Sequence, residues 1–232
     1  MHSVNSSRSL RQAKVWWHKK RVLSKAEKIA DAAVHGAGLV LFIAAGTVLL
    51  TLTLIRTAPE QFPALLVYVG SLVVLLSVSL AFNLWPRDAI KHWLARADQA
   101  AIFLFMAGTY TPFLSLVWGT PGGLGLTIFV WSAALVGIAL KLIIPQHFGR
   151  LAILLYLAIG WSGVLVFQDL ATAMPMSALW LLVAGGLTYS LGIIFHLWER
   201  LKFYTALWHL FVVAGASLHL IALFQVMVIS RW

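Results

Sequence analysis

The chain has 232 residues, of which 61% are hydrophobic and only 10% are charged, and its formal net charge is +10. A soluble domain has about 25% charged residues, so this composition excludes an ordinary water-soluble protein and indicates a protein of the lipid bilayer. The sequence contains no cysteine, which excludes disulfides and thiolate metal sites. Its cations are spread over several short polar segments without a recognition motif, so we expect no nucleic-acid partner.

The N-terminal segment is polar and basic, in contrast to the rest of the chain. It has no apolar core of the kind that a cleaved signal peptide contains. We therefore expect residues 1–24 to form a polar cytoplasmic tail and residues 25–232 to form one transmembrane domain.

Seven apolar stretches follow the tail, each close to the ~20 residues that cross ~30 Å of hydrocarbon as a helix. They are residues 35–55, 62–85, 100–118, 124–140, 151–167, 176–198 and 207–229. None of them alternates in polarity as a membrane-spanning strand does. Five of the seven prolines lie between the stretches and Pro63 lies at the start of one, positions where a missing N–H costs little. The sequence predicts an all-α fold, a polytopic membrane protein with a seven-transmembrane helix bundle.

The distribution of cations predicts how this bundle is oriented. If the spans alternate in direction, fifteen of the 17 Lys and Arg residues lie on one side, and only Arg56 and Arg231 lie on the other. By the positive-inside rule, the N-terminus is cytoplasmic and the C-terminus is outside. The predicted location is the plasma membrane, or the inner membrane of a Gram-negative cell, with the chain crossing it several times.

Polar residues from several spans fall at one predicted depth, just below the inner headgroups. Glu27, Asp31 and His35 are spaced four apart and so share one face of the first helix. Other spans contribute Ser79 and Asn83, Asp98 and Gln99, and Thr205 and His209. Ionisable groups in spans are costly and usually face a bundle interior or a water-filled cavity. We expect these residues to converge in one polar cavity. His219 lies near mid-membrane, where we expect a neutral histidine bonded within the bundle and where a proton-relay role stays open.

Several motifs resemble those of a known membrane family. The segment "KAEKIADAAVHGAG" resembles the opening Glu-x3-Asn-x3-His motif of the haemolysin III family, within the superfamily of progestin and adiponectin receptors, with Asp31 in place of Asn. The segments "FMAGTYTPFL", "YSLGIIFHLWERLKF" and "ALWHLFVVAGASLHL" are similar to its third, sixth and seventh spans. The resemblance covers nearly everything from Lys25 onward and implies seven helices with the N-terminus inside.

The resemblance also implies a zinc site, from which this chain departs. Relatives carry Ser-x3-His in the second span and His-x3-His in the seventh, and those histidines hold the ion. Here the corresponding positions read Ser79-x3-Asn83 and Thr205-x3-His209, so His209 is the one family ligand that remains. A catalytic zinc needs about three protein ligands, so we expect zinc to be a doubtful cofactor. A rearranged site of His35, Asp98 and His209 stays open.

Three functions remain for such a protein. The first is a non-catalytic protein that responds to the membrane state or to a lipid-like small molecule, with membrane lipids as its partners. The second, implied by the superfamily's resemblance to ceramidases, is a zinc-dependent hydrolase of a lipid amide or ester, assisted by Asp98 or Ser79. The third, implied by the family name, is a pore-forming cytolysin, although the spans show no charged lumen ring. The ligand count favours the first.

Overall fold

The structure is a computed structural model that describes residues 21–86, 89–144 and 149–231. The predicted tail therefore lies outside the described residues, except for residues 21–24. Within the described ranges the chain is almost entirely helical, and no β-strand occurs in them. The α-helices are α1 (Lys25–Leu52), α2 (Phe62–Leu84), α3 (Ala89–Leu114), α4 (Pro121–Ile143), α5 (Gly149–Trp161), α6 (Phe167–Ala173), α7 (Met176–Leu197) and α8 (Tyr204–Met227).

Helices α5 and α6 together make one span, because a 3₁₀ segment, Ser162–Val166, joins them without leaving the bundle. Counted this way, seven helical segments of the described chain are long and apolar enough to cross a membrane. The predicted fold class, a seven-helix membrane bundle, is confirmed. The orientation of the termini stays a prediction from the distribution of Lys and Arg.

Two helices begin well before the apolar stretches from which they were predicted. Helix α1 starts at Lys25 and α3 starts at Ala89, each about ten residues ahead of the expected span. The difference arises because hydropathy marks the hydrocarbon boundary, whereas a helix end is set by capping and by partners for its first N–H groups. Both extensions carry polar residues of the predicted cavity, so those residues lie on regular helix.

The helices pack in a closed arrangement around α3. Helix α3 is the most buried, with 61% of its apolar window inside the bundle, against 17% for the span formed by α5 and α6. Helix α1 contacts both α2 and α8, and α8 packs along α7. The first and last spans are therefore neighbours. Large apolar side chains such as Val40 and Leu165 point outward and are 71% and 81% exposed, as expected for a surface in lipid.

One close contact between α3 and α4 sets how near those helices lie. Gly137 of α4 faces the ring of Phe103 of α3, and a Cβ added at Gly137 would lie 2.5 Å from the nearest ring carbon. Phe103 is 1% exposed and packs against the Tyr156 ring with centroids 4.7 Å apart. The helices can approach this closely because Gly137 has no side chain.

Hydrogen bonds and ring contacts gather most of the predicted polar residues at one end of the bundle. Helices α1, α3 and α8 begin there, and α2, α4 and α7 end there, as the contacts between Glu27 and Phe203, Ser79 and His209, and Lys141 and Gln99 show. We call this end, defined by those six residues, the polar end of the bundle.

Candidate functional site

The start of α1 carries three ionisable side chains on one face, and all three are buried. Glu27, Asp31 and His35 are 3%, 0% and 0% exposed. The helix begins where it does because Ser24 and Glu27 form a capping box. The Ser24 hydroxyl accepts the Glu27 N–H at 3.3 Å, and the Glu27 carboxylate accepts the Ser24 N–H at 2.9 Å. The buried stripe therefore starts at a fixed helix end.

Glu27 also joins α1 to the connection between α7 and α8. Its carboxylate accepts hydrogen bonds from the Arg21 guanidinium and, at 3.0 Å, from the Phe203 N–H. Arg21 donates to the carbonyl oxygens of Glu199 and Leu201, both at 3.2 Å, and its bond to Glu27 raises the pKa of Arg21 above the ordinary value. Phe203 has a φ of 61°, a left-handed conformation that costs a non-glycine residue about 1–2 kcal/mol. Glu27 thus holds a strained turn against α1.

Replacing Glu27 by alanine is expected to lower the melting temperature of the detergent-solubilised protein by about 5 °C. The substitution removes the acceptor of the Phe203 N–H, the partner of Arg21 and half of the capping box. Lys25→Ala is the matched control, because Lys25 is exposed in the same helical turn. Equal melting curves for the two variants would show that Glu27 does not hold the connection between α7 and α8.

Asp31, His35 and His209 form a compact cluster between α1 and α8. Asp31 Oδ1 lies 2.6 Å from His209 Nδ1, and Asp31 Oδ2 lies 3.6 Å from His35 Nδ1. The two imidazole rings have centroids 4.2 Å apart and are inclined at 61°. One potential ligand atom from each residue lies within 4.8 Å of the other two. The fold thus brings one carboxylate and two imidazoles, from the first and last spans, to one point.

Ser79, Asn83 and Thr205 lie around this cluster. Ser79 Oγ is 3.5 Å from His209 Nε2. Asn83 follows Ser79 by one turn of α2, and Thr205 precedes His209 by one turn of α8. Within the described ranges, Asn83 Nδ2 and Thr205 Oγ1 are buried atoms without a hydrogen-bond partner. Such atoms are costly, so the polarity of these two positions is not explained by packing alone.

A second polar layer lies between α3 and α4. Lys141, 3% exposed in the last turn of α4, donates from Nζ to Gln99 Oε1 at 2.7 Å. The Tyr156 hydroxyl of α5 donates to the Gln99 carbonyl oxygen at 3.2 Å. Sequence reasoning used Lys141 only as a cation that sets orientation and missed its burial. The sequence gives no signal for that burial, because a cation in the last turn of an apolar helix is ordinarily at the surface.

One cavity of about 850 Å³ connects the two layers. Seven of the residues predicted from the sequence line it: His35, Ser79, Asn83, Asp98, Gln99, Thr205 and His209. Glu27 reaches the connection between α7 and α8 instead, and Asp31 is held behind the lining by its bond to His209. The volume falls within the range of about 300–1,000 Å³ that is common for small-molecule sites.

The deeper part of the cavity is apolar and includes one buried histidine. Phe105, Met106, Leu179 and Val212 line it together with His219. The Nε2 atom of His219 lies 3.3 Å from the Leu182 carbonyl oxygen, so His219 is tied to α7 across the bundle. The cavity therefore runs from a polar end to an apolar interior.

The sequence of the chain matches that of a known family. Residues 24–220 match the sequence profile of the family described as haemolysin-III related. The chain belongs to the haemolysin-III-related family. This match covers six spans and most of the seventh, including every residue of the cavity named above.

Individual relatives of this haemolysin-III-related chain are found in bacteria and in mammals. It is 34% identical over 192 residues to Hemolysin-3 of Bacillus cereus, covering 83% of this chain and 88% of the relative. It is 33% identical over 193 residues to the Hemolysin-3 homolog of Bacillus subtilis (strain 168), covering 82% and 90%. The human monocyte to macrophage differentiation factor is 28% identical over 165 residues, covering 68% of each chain.

The zinc ligands that the resemblance implies do not fit this haemolysin-III-related chain. Asn83 and Thr205, at the positions of two of those histidines, offer an amide and a hydroxyl, which are poor zinc ligands. Their buried polar atoms have no protein partner within the described residues. The set implied by the family is therefore reduced to His209.

Proposed function

We propose that this haemolysin-III-related membrane protein binds a single-chain amphiphile with an anionic head in the bundle cavity, and so responds to the lipids around it. The observation that carries the proposal is the cavity itself, which is polar at one end and apolar along its length. An amphiphile has the same division between head and chain. The expected head position is the polar end of the bundle, and the expected chain position is the apolar interior.

The apolar part of the cavity has the chemistry of an acyl-chain site. Phe105, Met106, Leu157 and Leu179 come from three different spans and face the same space. Burying a methylene group among such side chains contributes about 0.8 kcal/mol. The span formed by α5 and α6 is the least buried of the seven and lines the cavity through residues such as Leu157. A chain entering from the bilayer would do so beside this span.

Charge favours an anionic head. Among the described residues that line the cavity, the cations are Lys28, Lys91, Lys141 and Arg21, of which Arg21 is paired with Glu27, against the single carboxylate Asp98. A carboxylate or phosphate head would therefore sit among more positive than negative charges, and in a site partly shielded from water such an excess is worth more than at an open surface. Binding should discriminate against a cationic head on the same chain.

Native mass spectrometry of the detergent-solubilised protein tests the proposal with stearate, stearyl phosphate and stearylamine. We expect both anionic amphiphiles to bind with one molecule per chain and at least about tenfold tighter than the amine, which corresponds to about 1.4 kcal/mol. Gly186→Leu should weaken stearate binding at least tenfold. The reason is that Gly186 lines the cavity and a Cβ there has room to extend inward, its nearest neighbour being Trp161 at 3.8 Å.

The control for Gly186→Leu is Gly70→Leu. Gly70 is exposed, a Cβ added there meets nothing within 4 Å, and Gly70 lies outside the cavity lining. Equal retention of stearate by the two variants, or equal binding of stearate and stearylamine by the unsubstituted protein, would refute the proposed site. A preference for stearate over stearyl phosphate would assign the head as a fatty-acid carboxylate, and the reverse preference would assign it as a phosphate.

A second candidate is hydrolysis of a lipid amide or ester. It is supported by the position of Asp31, His35 and His209 beside Ser79, near the polar end of the cavity. A metal ion bound there would supply an activated water. Of the protein groups, Ser79 would orient the substrate carbonyl and Asp98 would transfer a proton. Release of stearate from an N-stearoyl amide, lost in Asp98→Asn, would favour this candidate, whereas recovery of the intact amide would favour binding alone.

A further inference from the structure

We infer that Asp31, His35 and His209 form a binding site for one divalent transition-metal ion, with Zn²⁺ the best fit to the three ligands. The site uses two residues of α1 and one of α8 and does not require an imidazole at position 83 or 205. It does not rest on amphiphile binding, because it would hold a metal whether or not an amphiphile occupies the cavity, and the second candidate function would use the same ion.

The first argument is the state of the His35 ring. His35 Nδ1 lies 2.8 Å from the Asp31 carbonyl oxygen. A carbonyl oxygen only accepts, so Nδ1 carries the ring proton and Nε2 carries the lone pair. A metal-binding histidine commonly has this arrangement, in which one ring nitrogen donates to a backbone carbonyl and the other faces the metal. His35 is fully buried, and within the described chain its Nε2 atom has no hydrogen-bond partner.

The second argument is that the unsatisfied atoms of the cluster are acceptors. Asp31 Oδ2 is also buried without a hydrogen-bond partner among the described residues. His209 donates from Nδ1 to Asp31 Oδ1, so the lone pair of His209 lies on Nε2, next to Ser79. Two acceptors cannot satisfy each other, and leaving each of them buried and unpaired costs about 1–3 kcal/mol. A cation held by Asp31 Oδ2 and His35 Nε2 would satisfy both atoms. His209 would join it through Nδ1, the nitrogen that faces Asp31, with its proton moved to Nε2, where Ser79 Oγ can accept it.

The third argument is the spacing of the ligands. Asp31 and His35 lie four residues apart on one helix, the spacing by which two side chains of a helix bind one zinc ion. His209 approaches from α8, and one ligand atom from each residue lies within 4.8 Å of the others. Two ligands of a tetrahedral zinc ion are about 3.4 Å apart for bonds of about 2.0–2.1 Å. Closing the cluster around an ion therefore requires pairs of ligand atoms to approach each other by up to about 1.4 Å.

The donor set identifies the kind of ion. Two imidazoles and one carboxylate are the protein ligands of many zinc sites, and a fourth position is left for water or a ligand. Ca²⁺ and Mg²⁺ prefer oxygen ligands throughout. His35 and His209 line the cavity, so the fourth position faces it. An ion there would add positive charge at the polar end of the bundle.

The test is metal binding by the full chain in detergent, with no lipid added. We expect elemental analysis of the purified protein to give about one equivalent of zinc. After the metal is removed with a chelator, one equivalent of Co²⁺ should bind in its place. The visible absorption of the bound Co²⁺ should report four or five ligands that include nitrogen. Zn²⁺ should also raise the melting temperature of the stripped protein, because an ion that binds only the folded state stabilises it.

Three variants and one control locate the ion. Asp31→Asn, His35→Gln and His209→Gln should each lower the Co²⁺ affinity more than about tenfold and abolish the rise in melting temperature. His92→Gln, a histidine of α3 outside the cavity lining, should change neither. The melting curve of each stripped variant shows whether it is folded, so a loss of binding by a folded variant is attributable to its ligand.

Two results would overturn the site. The first is a stripped, folded native protein that binds neither Zn²⁺ nor Co²⁺, in which case a water molecule satisfies the acceptors. The second is metal binding that survives all three cluster substitutions, which would place the ion elsewhere in the chain.

Discussion

Adding one methyl group at Gly137 is expected to destabilise the bundle by about 1–3 kcal/mol, the usual cost of overpacking a core. In Gly137→Ala the new Cβ would lie 2.5–2.7 Å from three carbons of the Phe103 ring. That ring is 1% exposed and packs against Tyr156, so moving it away from α4 would disturb that contact. The melting temperature of the solubilised protein should fall by about 3–10 °C.

The same substitution in the same helix provides the control. Gly125 of α4 is exposed, and a Cβ added there meets nothing within 4 Å. Gly125→Ala should therefore raise stability slightly, by up to about 1 kcal/mol, because alanine is the better helix former. In a Phe103→Ala background the contact is gone, so Gly137→Ala should no longer destabilise. Persistence of the loss in that background would show that the α3–α4 contact is not its cause.

The double substitution Asn83→His with Thr205→His is expected to give a metal site that no longer needs α1. Thr205 and His209 lie one turn apart on α8, and Asn83 lies one turn beyond Ser79, which contacts His209. Together with His209, the two new imidazoles would supply the three ligands of a zinc site. Adding His35→Gln should then leave about one equivalent of zinc in the purified protein, although His35→Gln alone should remove it.

Asn83→Gln with Thr205→Ser is the matched control, because it keeps an amide and a hydroxyl at these positions and adds no imidazole. In that background His35→Gln should still remove the metal, as measured by elemental analysis. Loss of zinc from the triple variant that carries both new histidines would mean that positions 83 and 205 do not face His209. The geometry inferred from the helical turns would then be wrong.

The spans were predictable because the solvent fixes them. Every backbone N–H and C=O in hydrocarbon needs a partner within the chain, so an apolar stretch of about 20 residues leaves helix as the available structure. The ends were less predictable: hydropathy did not show that α1 begins at Lys25, although Ser24 and Glu27 have the spacing of a capping box. The break at Ser162–Val166 leaves no mark in hydropathy, since both sides of it are apolar.

The candidate site was predictable in its members but not in its contacts. The spacing of Glu27, Asp31 and His35 places them on one face of the helix, however the helix is rotated about its axis in the bundle. Which carboxylate meets His209 depends on the rotation and crossing of α1 against α8, and sequence spacing holds no information about either. The rearranged metal site left open by the sequence used Asp98, whereas the structure places Asp31 against His209 at 2.6 Å. That proximity supports metal binding by the native chain, whereas the count of family ligands had favoured little bound zinc.

The contact between α1 and α8 has a consequence for how the protein is made. Asp31 and His209 are 178 residues apart in the sequence, and Glu27 meets a residue 176 positions later. At about 5–20 residues per second, a ribosome takes about 9–36 s to synthesise that interval. During this time Asp31 of the nascent first helix lacks His209, its partner from the last span, and an acid without its partner in hydrocarbon is costly. The helix that enters the membrane first is thus among the last to be completed.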